Sequence, residues 1–269
     1  VYSIVRGSSF SIRPSVTGQQ LSFSVAEGTL PQGLALNSTS GQISGVPVES
    51  LQERAVTIRV ENIAGASSFT LRFSVLIPIS FLSYSADSFT LPRNETFSVT
   101  PTITGDFPLF SVFDGALPNG LQLDTANGTI YGVPTESIAN RQVTLKAENL
   151  FGVKTVLLTF TVLQRLSVIS YEESVFVLPR DAEFAAACAF VGEGATFSLA
   201  NGTLPQGLSL HPTSGLISGV PTESTTQQSV VVKAENVLGS VTTSLAFTVL
   251  QAISSFAYAQ PSFVLAKNS

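Results

Sequence analysis

The sequence predicts an all-β protein built as tandem β-sandwich domains. Three observations carry that expectation: an 87-residue repeat in constant register, short alternating apolar runs separated by turn residues, and no stretch with a sustained helical period. Leu30-Pro31-Gln32-Gly33-Leu34 returns as Leu117-Pro118-Asn119-Gly120-Leu121 and again as Leu204-Pro205-Gln206-Gly207-Leu208. Gly45-Val46-Pro47, Glu61-Asn62 and Phe73 recur with the same step at Gly132-Val133-Pro134, Glu148-Asn149 and Phe160. They recur once more at Gly219-Val220-Pro221, Glu235-Asn236 and Phe247. Residues 30–47 and 204–221 are identical at 14 of 18 positions, and no gap is needed anywhere. A constant step without insertions makes each unit one compact domain, joined to the next by a linker of fixed length. At 87 residues a unit is near the lower limit for an independent core, so its alternating apolar residues must supply one.

The middle unit shows how each element arises. Ile79 to Tyr84 reads as an opening strand, matched by Leu166 to Tyr171 and by Ile253 to Tyr258. Gly120-Leu121-Gln122-Leu123 and Thr129-Ile130-Tyr131-Gly132 flank the turn-forming Asp124-Thr125-Ala126-Asn127-Gly128, which predicts a hairpin. Val143 to Ala147 alternates, and Thr155 to Val162 follows Asn149-Leu150-Phe151-Gly152, which predicts a second hairpin. Pro118 and Pro134 would each remove a ladder donor, so they mark strand ends. Short strands with frequent turns between them point to a sandwich.

The opening strands set the domain limits. Domain 1 covers residues 1–76, domain 2 covers 77–163, domain 3 covers 164–250, and 251–269 begin a fourth. Val1 aligns with Ser88, so the first domain lacks its opening strand. The absence of Met and Trp reads as an interior piece of a longer polypeptide. Its ragged ends fit an array cut at arbitrary points. The alternative is a tail that completes the first domain of the next molecule by strand donation. Residues 262–269 duplicate the repeat positions of 1–8, and that overlap favours the cut array.

The pattern L-P-x-G-L-x-L, then x-G-x-I-x-G-x-P, then a closing A-E-N-x-x-G hairpin resembles the immunoglobulin-like, cadherin-related tandem-repeat family of secreted and surface proteins. The resemblance covers all three units. It implies an extracellular or cell-surface setting and a role in spacing or adhesion. Cadherin relatives bind calcium through acidic junction motifs, but no D-x-N-D-N or D-x-D run is present here.

Composition narrows the chemistry. Charged residues make up 12% and the net charge is −5, with no basic cluster, which argues against a nucleic-acid partner. The longest apolar run, Phe184 to Val191, is far short of the roughly 18 residues of a membrane span. The single cysteine, Cys188, excludes an internal disulfide framework and reads as a buried, inert thiol. His211 is the sole histidine and aligns with Asn37 and Asp124 in a hairpin turn, so a turn role is expected.

No triad, metal site or cofactor site can be assembled from one His and one Cys, and no enzyme activity is expected. Glu61, Glu148 and Glu235 each follow a basic residue two positions back (Arg59, Lys146, Lys233), which predicts solvated pairs on one strand face. Calcium ligation by these residues, or by Glu49, Glu136 and Glu223, is the less favoured reading. Asn-x-Ser/Thr acceptors at Asn37, Asn94, Asn127 and Asn201 fall in turns and polar gaps, so N-linked glycans are expected. Together these features favour a structural rod, stalk or surface filament whose partners are neighbouring repeats or copies of itself. The alternative is an adhesin whose domains bind a glycan or protein. Equal unit lengths leave no insertion to hold a dedicated adhesive site.

Overall fold

A computed structural model describes residues 1–257. Every regular element among them is a β-strand. Repeat one forms β1 (Tyr2–Val5), β2 (Phe10–Ile12), β3 (Ser22–Glu27), β4 (Leu34–Leu36), β5 (Ile43–Gly45), β6 (Leu51–Asn62) and β7 (Gly65–Leu76). One sheet runs β1-β7-β6-β3 and the facing one β2-β5-β4. Repeat two forms β8 (Phe81–Ser83), β9 (Ser88–Pro92), β10 (Phe97–Val99), β11 (Thr102–Thr104), β12 (Leu109–Gly115), β13 (Leu121–Leu123), β14 (Ile130–Gly132), β15 (Ile138–Asn149) and β16 (Gly152–Leu163). Repeat three forms β17 (Val168–Tyr171), β18 (Val175–Pro179), β19 (Phe184–Ala186), β20 (Cys188–Val191), β21 (Thr196–Asn201), β22 (Leu208–Leu210), β23 (Ile217–Gly219), β24 (Thr225–Asn236) and β25 (Gly239–Leu250). Both later repeats reproduce the two sheets of repeat one and add a short ladder, β8 with β11 and β17 with β20. By compactness the chain divides into one unit holding residues 1–162 and another that begins at Leu163.

The long hairpin is the spine of each repeat. In repeat two its apolar positions Val143, Leu145, Ala147, Leu158, Phe160 and Val162 are all fully buried, as the alternation requires. Asn149 pairs with Gly152 across the two-residue turn, and Asn149 Oδ1 accepts from the Phe151 and Gly152 amides, both at 3.0 Å. A bulge between Val112 and Asp114 recurs between Val25 and Glu27 and between Leu199 and Asn201, so even the irregularities keep the repeat.

The glycines of the repeat motifs have a steric reason. Gly120 and Gly132 face each other with φ of 91° and 136°. A Cβ on Gly120 would meet the Val133 carbonyl oxygen at 1.9 Å, and one on Gly132 would meet the Gly120 oxygen at 2.1 Å. Only glycine fits, which accounts for the two motif glycines together. Behind them a phenylalanine trio fills the core: Phe89 lies 5.4 Å from Phe97 and 5.6 Å from Phe160, and Phe176, Phe184 and Phe247 repeat the arrangement.

Three expectations need amendment. The opening strands are shorter than their motifs, Phe81–Ser83 and Val168–Tyr171, because only these residues reach the partner strands β11 and β20. The strand expected from Ile253 does not form over residues 251–257, and Tyr258 with the rest of 258–269 lies outside the described residues. A strand needs a partner edge for its backbone groups, and no described strand pairs with residues 251–257. Cys188 is half-buried rather than buried, because β20 has only β17 beside it.

Candidate functional site at the repeat linker

Ile77 follows β7 and precedes β8, and both of its backbone groups are held by side chains of repeat two. Its amide donates to Asp106 Oδ2 at 2.7 Å. Its carbonyl accepts from Asn149 Nδ2 at 2.7 Å and from the Asp106 amide at 3.1 Å. Asn149 Nδ2 also donates to the Asp106 carbonyl at 2.8 Å, so one amide group ties the linker to the loop that grips it. Repeat one reaches the same carboxylate: Ser50 Oγ donates to Asp106 Oδ2, and Arg6 Nη1 donates to Ser50 Oγ at 3.1 Å. A charged acceptor shared between a backbone amide and a hydroxyl makes stronger bonds than neutral pairs do.

Repeat three builds the same grip on Gln164. Its amide donates to Glu193 Oε2 at 3.0 Å, and its carbonyl accepts from the Glu193 amide at 3.1 Å. Asn236 Nδ2 donates to the Glu193 carbonyl at 2.8 Å and to the Gln164 carbonyl at 3.5 Å. In repeat one Asn62 Nδ2 donates to the Gln19 carbonyl at 3.0 Å, and Gln19 holds the repeat position of Asp106 and Glu193. The Asn of the Glu-Asn pair thus works in two directions in the second and third repeats. Its Oδ1 closes the hairpin turn while its Nδ2 fixes the incoming linker. The acidic partner varies between Asp and Glu and is Gln in repeat one, so no motif marks it.

The glutamates of the sequence motifs make ion pairs. Arg59 pairs with Glu61 at 2.9 Å, Lys146 with Glu148 at 2.6 Å, and Lys233 with Glu235, as two-residue spacing on a strand predicts. Glu49 Oε1 accepts from Arg54 Nη1 at 2.5 Å and from the Gln32 amide at 2.7 Å. Glu136 Oε1 accepts from the Asn119 amide at 3.0 Å and from Arg141 Nη1 at 2.5 Å. The Arg54 bond, followed by the Gln32 amide, holds Glu49 below the usual carboxylate range; for Glu136 the Asn119 amide leads. Among the described residues no group of His, Cys, Asp and Glu is arranged to hold a metal ion, and no helix is long and apolar enough to cross a membrane.

His211 takes the turn role its alignment predicts. Its Nδ1 accepts from the Thr213 and Ser214 amides at 3.4 and 3.3 Å. Asn37 Oδ1 does the same for Thr39 and Ser40, as Asp124 Oδ1 does for Ala126 and Asn127. The asparagines of the four Asn-x-Ser/Thr motifs, Asn37, Asn94, Asn127 and Asn201, are all exposed. Asn37 immediately precedes the turn at residues 38–40, Asn127 sits in the equivalent turn of repeat two, Asn94 occupies a left-handed position with φ of 65°, and Asn201 ends β21. Burial pushes the Cys188 thiol above its ordinary range, which removes it from ready thiolate chemistry.

Three segments of the chain, residues 1–78, 78–163 and 167–250, match the family described as "Putative Ig domain", and the chain belongs to that family. No curated protein matches the sequence. Among solved structures, an I-band fragment from titin is 12% identical, covers 93% of this chain and 95% of its own, and has a TM-score of 0.49. Extracellular domains 3-5 of Drosophila OTK are 14% identical over 93% of this chain and 94% of that one, with a TM-score of 0.47. Immunoglobulin domains 1-4 of Sidekick-1 are 11% identical over 92% of this chain and 73% of theirs, with a TM-score of 0.47. At these identities and scores the likenesses carry nothing about function.

Proposed function

We propose that this chain, a tandem array of immunoglobulin-like domains, is a non-enzymatic structural spacer of the extracellular space or cell surface. It forms part of a rod, stalk or surface filament. Its modules are residues 1–76, 77–163 and 164–250, and its partners are adjacent repeats or copies of itself. N-linked glycans on Asn37, Asn94, Asn127 or Asn201 decorate the surface without entering the cores.

The observation that carries this reading is the grip on Ile77. A free linker would leave its amide and carbonyl to water, whereas here Asp106 and Asn149 hold both, and Ser50 of the preceding repeat donates to the same carboxylate. Each such bond contributes about 0.5–1.5 kcal/mol net, more where the carboxylate accepts, and together they oppose slack at the junction. The invariant 87-residue step supports the same conclusion, because a binding loop tailored to a ligand would lengthen one unit. Electron microscopy of native material tests the reading. Filaments or stalks support it, and isolated globular particles overturn it.

A further inference from the structure

Each repeat requires glycine where its edge strand, β3, β12 or β21, runs out beside the long hairpin. Gly28, Gly115 and Gly202 share one repeat position, with φ of 77°, 76° and 77°. A Cβ there would meet the carbonyl oxygen of Ala55 at 2.5 Å, of Gln142 at 2.5 Å or of Ser229 at 2.3 Å. The left-handed backbone and the close approach leave no choice of side chain. The residue just before that glycine does vary: it is Glu27 in repeat one, Asp114 in repeat two and Asn201 in repeat three. Repeat three alone therefore places a carboxamide directly ahead of this obligatory glycine.

An Asn-Gly step carries a latent reaction, because the glycine amide, with no Cβ beside it, can reach the asparagine carboxamide. The chain has three such steps, Asn119-Gly120, Asn127-Gly128 and Asn201-Gly202. The fold restrains two of them. Asn119 Nδ2 donates to Glu136 Oε2 at 3.0 Å, and the Asn119 amide donates to Glu136 Oε1 at 3.0 Å. Asn127 Nδ2 donates to Asp124 Oδ2 at 2.7 Å, and Asn127 Oδ1 accepts from the Thr129 amide at 2.8 Å. The Gly128 amide is itself engaged, donating to the Asp124 carbonyl at 2.8 Å, and Gly128 is buried. At the third step the Gly202 amide donates to Asn201 Oδ1 at 2.9 Å, and both residues are exposed. That hydrogen-bonded ring runs from the Gly202 nitrogen through the Asn201 carbonyl carbon, Cα, Cβ and Cγ to Oδ1. It already holds every ring atom of a five-membered imide.

We propose that Asn201 is a site of spontaneous covalent modification, deamidation through a cyclic imide. A solvent base takes the Gly202 amide proton, and the nitrogen forms a bond to Asn201 Cγ. The Cγ–Nδ2 bond breaks, and Nδ2 leaves as ammonia with a proton returned to it. Water then opens the ring. Opening at Cγ restores the main chain and leaves an aspartate, whereas opening at the main-chain carbonyl reroutes the chain through the side chain and leaves an isoaspartate. The aspartate gives repeat three the Asp-Gly pair that repeat two already carries at Asp114-Gly115, so the sandwich accommodates it. The isoaspartate adds a backbone carbon where Gly202 already crowds the Ser229 carbonyl, and it breaks the pairing of Asn201 with Val231. A glycan on Asn201 would occupy Nδ2, the leaving nitrogen, so the reaction belongs to chains without a glycan there.

The test incubates the full chain, produced without N-glycans, at mildly alkaline pH and follows each Asn-Gly step by peptide mapping and mass spectrometry. In the folded chain Asn201 should convert at least about tenfold faster than Asn119 or Asn127, each of which must first break two or more hydrogen bonds. Its rate should rise with pH, as loss of the Gly202 amide proton requires. In denaturant the three steps should convert at comparable rates, which separates restraint by the fold from the shared dipeptide. Asn201→Asp supplies the reference product, and Asn201→Gln, whose ring would be one atom larger, should remove the early charge gain seen on ion exchange. Equal conversion at the three steps in the folded chain overturns the inference. So does an Asn201 that stays intact for as long as denatured chains take to convert, or an early charge gain that survives Asn201→Gln.

Discussion

Repeats one and two differ at one layer of their cores and agree at the other. Phe73 and Phe160 are both fully buried, each within a trio of aromatic rings. Two positions earlier on the same strands, Leu158 is fully buried while its counterpart Leu71 is half-buried. The aromatic layer closes using residues inside one repeat step. The second layer closes only when an opening strand enters beside β11 or its equivalent. In the second and third repeats this strand follows closely on the linker residue, Ile77 or Gln164, gripped by Asp106 or Glu193. Core completion and junction geometry are thus set by the same few residues.

The largest expected effect breaks this comparison directly. Leu158→Ala should destabilise repeat two by about 2–5 kcal/mol, as removal of fully buried methyl groups does. Leu71→Ala should cost on the order of 1 kcal/mol, because much of that side chain is already wetted. Denaturant unfolding of the two variants measures the gap, and equal costs would mean the second layer is closed in both repeats. Asn149→Ala comes next. It strips a donor from the Ile77 and Asp106 carbonyls, for about 1–3 kcal/mol, whereas Asn62→Ala removes one such bond and should cost less. Thermal unfolding of each variant compares them.

A smaller effect is expected from Tyr84→Phe, at about 0.5–1.5 kcal/mol, since the ring still fills the lid and only the bond to Gly128 is lost. Burial raises the Tyr84 hydroxyl pKa, so its bond stays protonated and intact well into alkaline solution. The smallest effect concerns Glu49 and Glu136. Their carboxyls titrate below the unfolded value, so the stability they add is present above that value and fades as pH falls through the folded one. Both are solvated, so acid titration of the melting temperature should show a shallow decline that salt reduces further. Glu49→Gln and Glu136→Gln should flatten it.

Much of the architecture was readable along the chain because its determinants are local. The Asn and Gly of each turn, the two facing glycines and the strand alternation all act within a few residues. The junction grip was not readable. Asn149 meets Ile77 across 72 positions and Asp106 across 43, and the acidic residue changes type from repeat to repeat. The Glu-Asn recurrence was a visible signal, but the asparagine's second role needed the fold. The segment at Ile253 misled for the same reason. Its pattern marks a strand, yet a strand forms only where a partner edge exists, and pattern does not report partners. Cys188 was read from its apolar neighbours, while its half-exposure follows from the two-stranded ladder that carries it.

In repeat two the opening segment closes the second core layer through Ile79, Leu82 and Tyr84. Hydrogen exchange at the amides of Leu145, Ala147 and Leu158, compared before and after Leu82→Asp, tests this most directly. These amides should exchange faster in the variant, while the aromatic layer around Phe160 keeps its protection. Unchanged protection at Leu145, Ala147 and Leu158 would contradict the role of the opening segment.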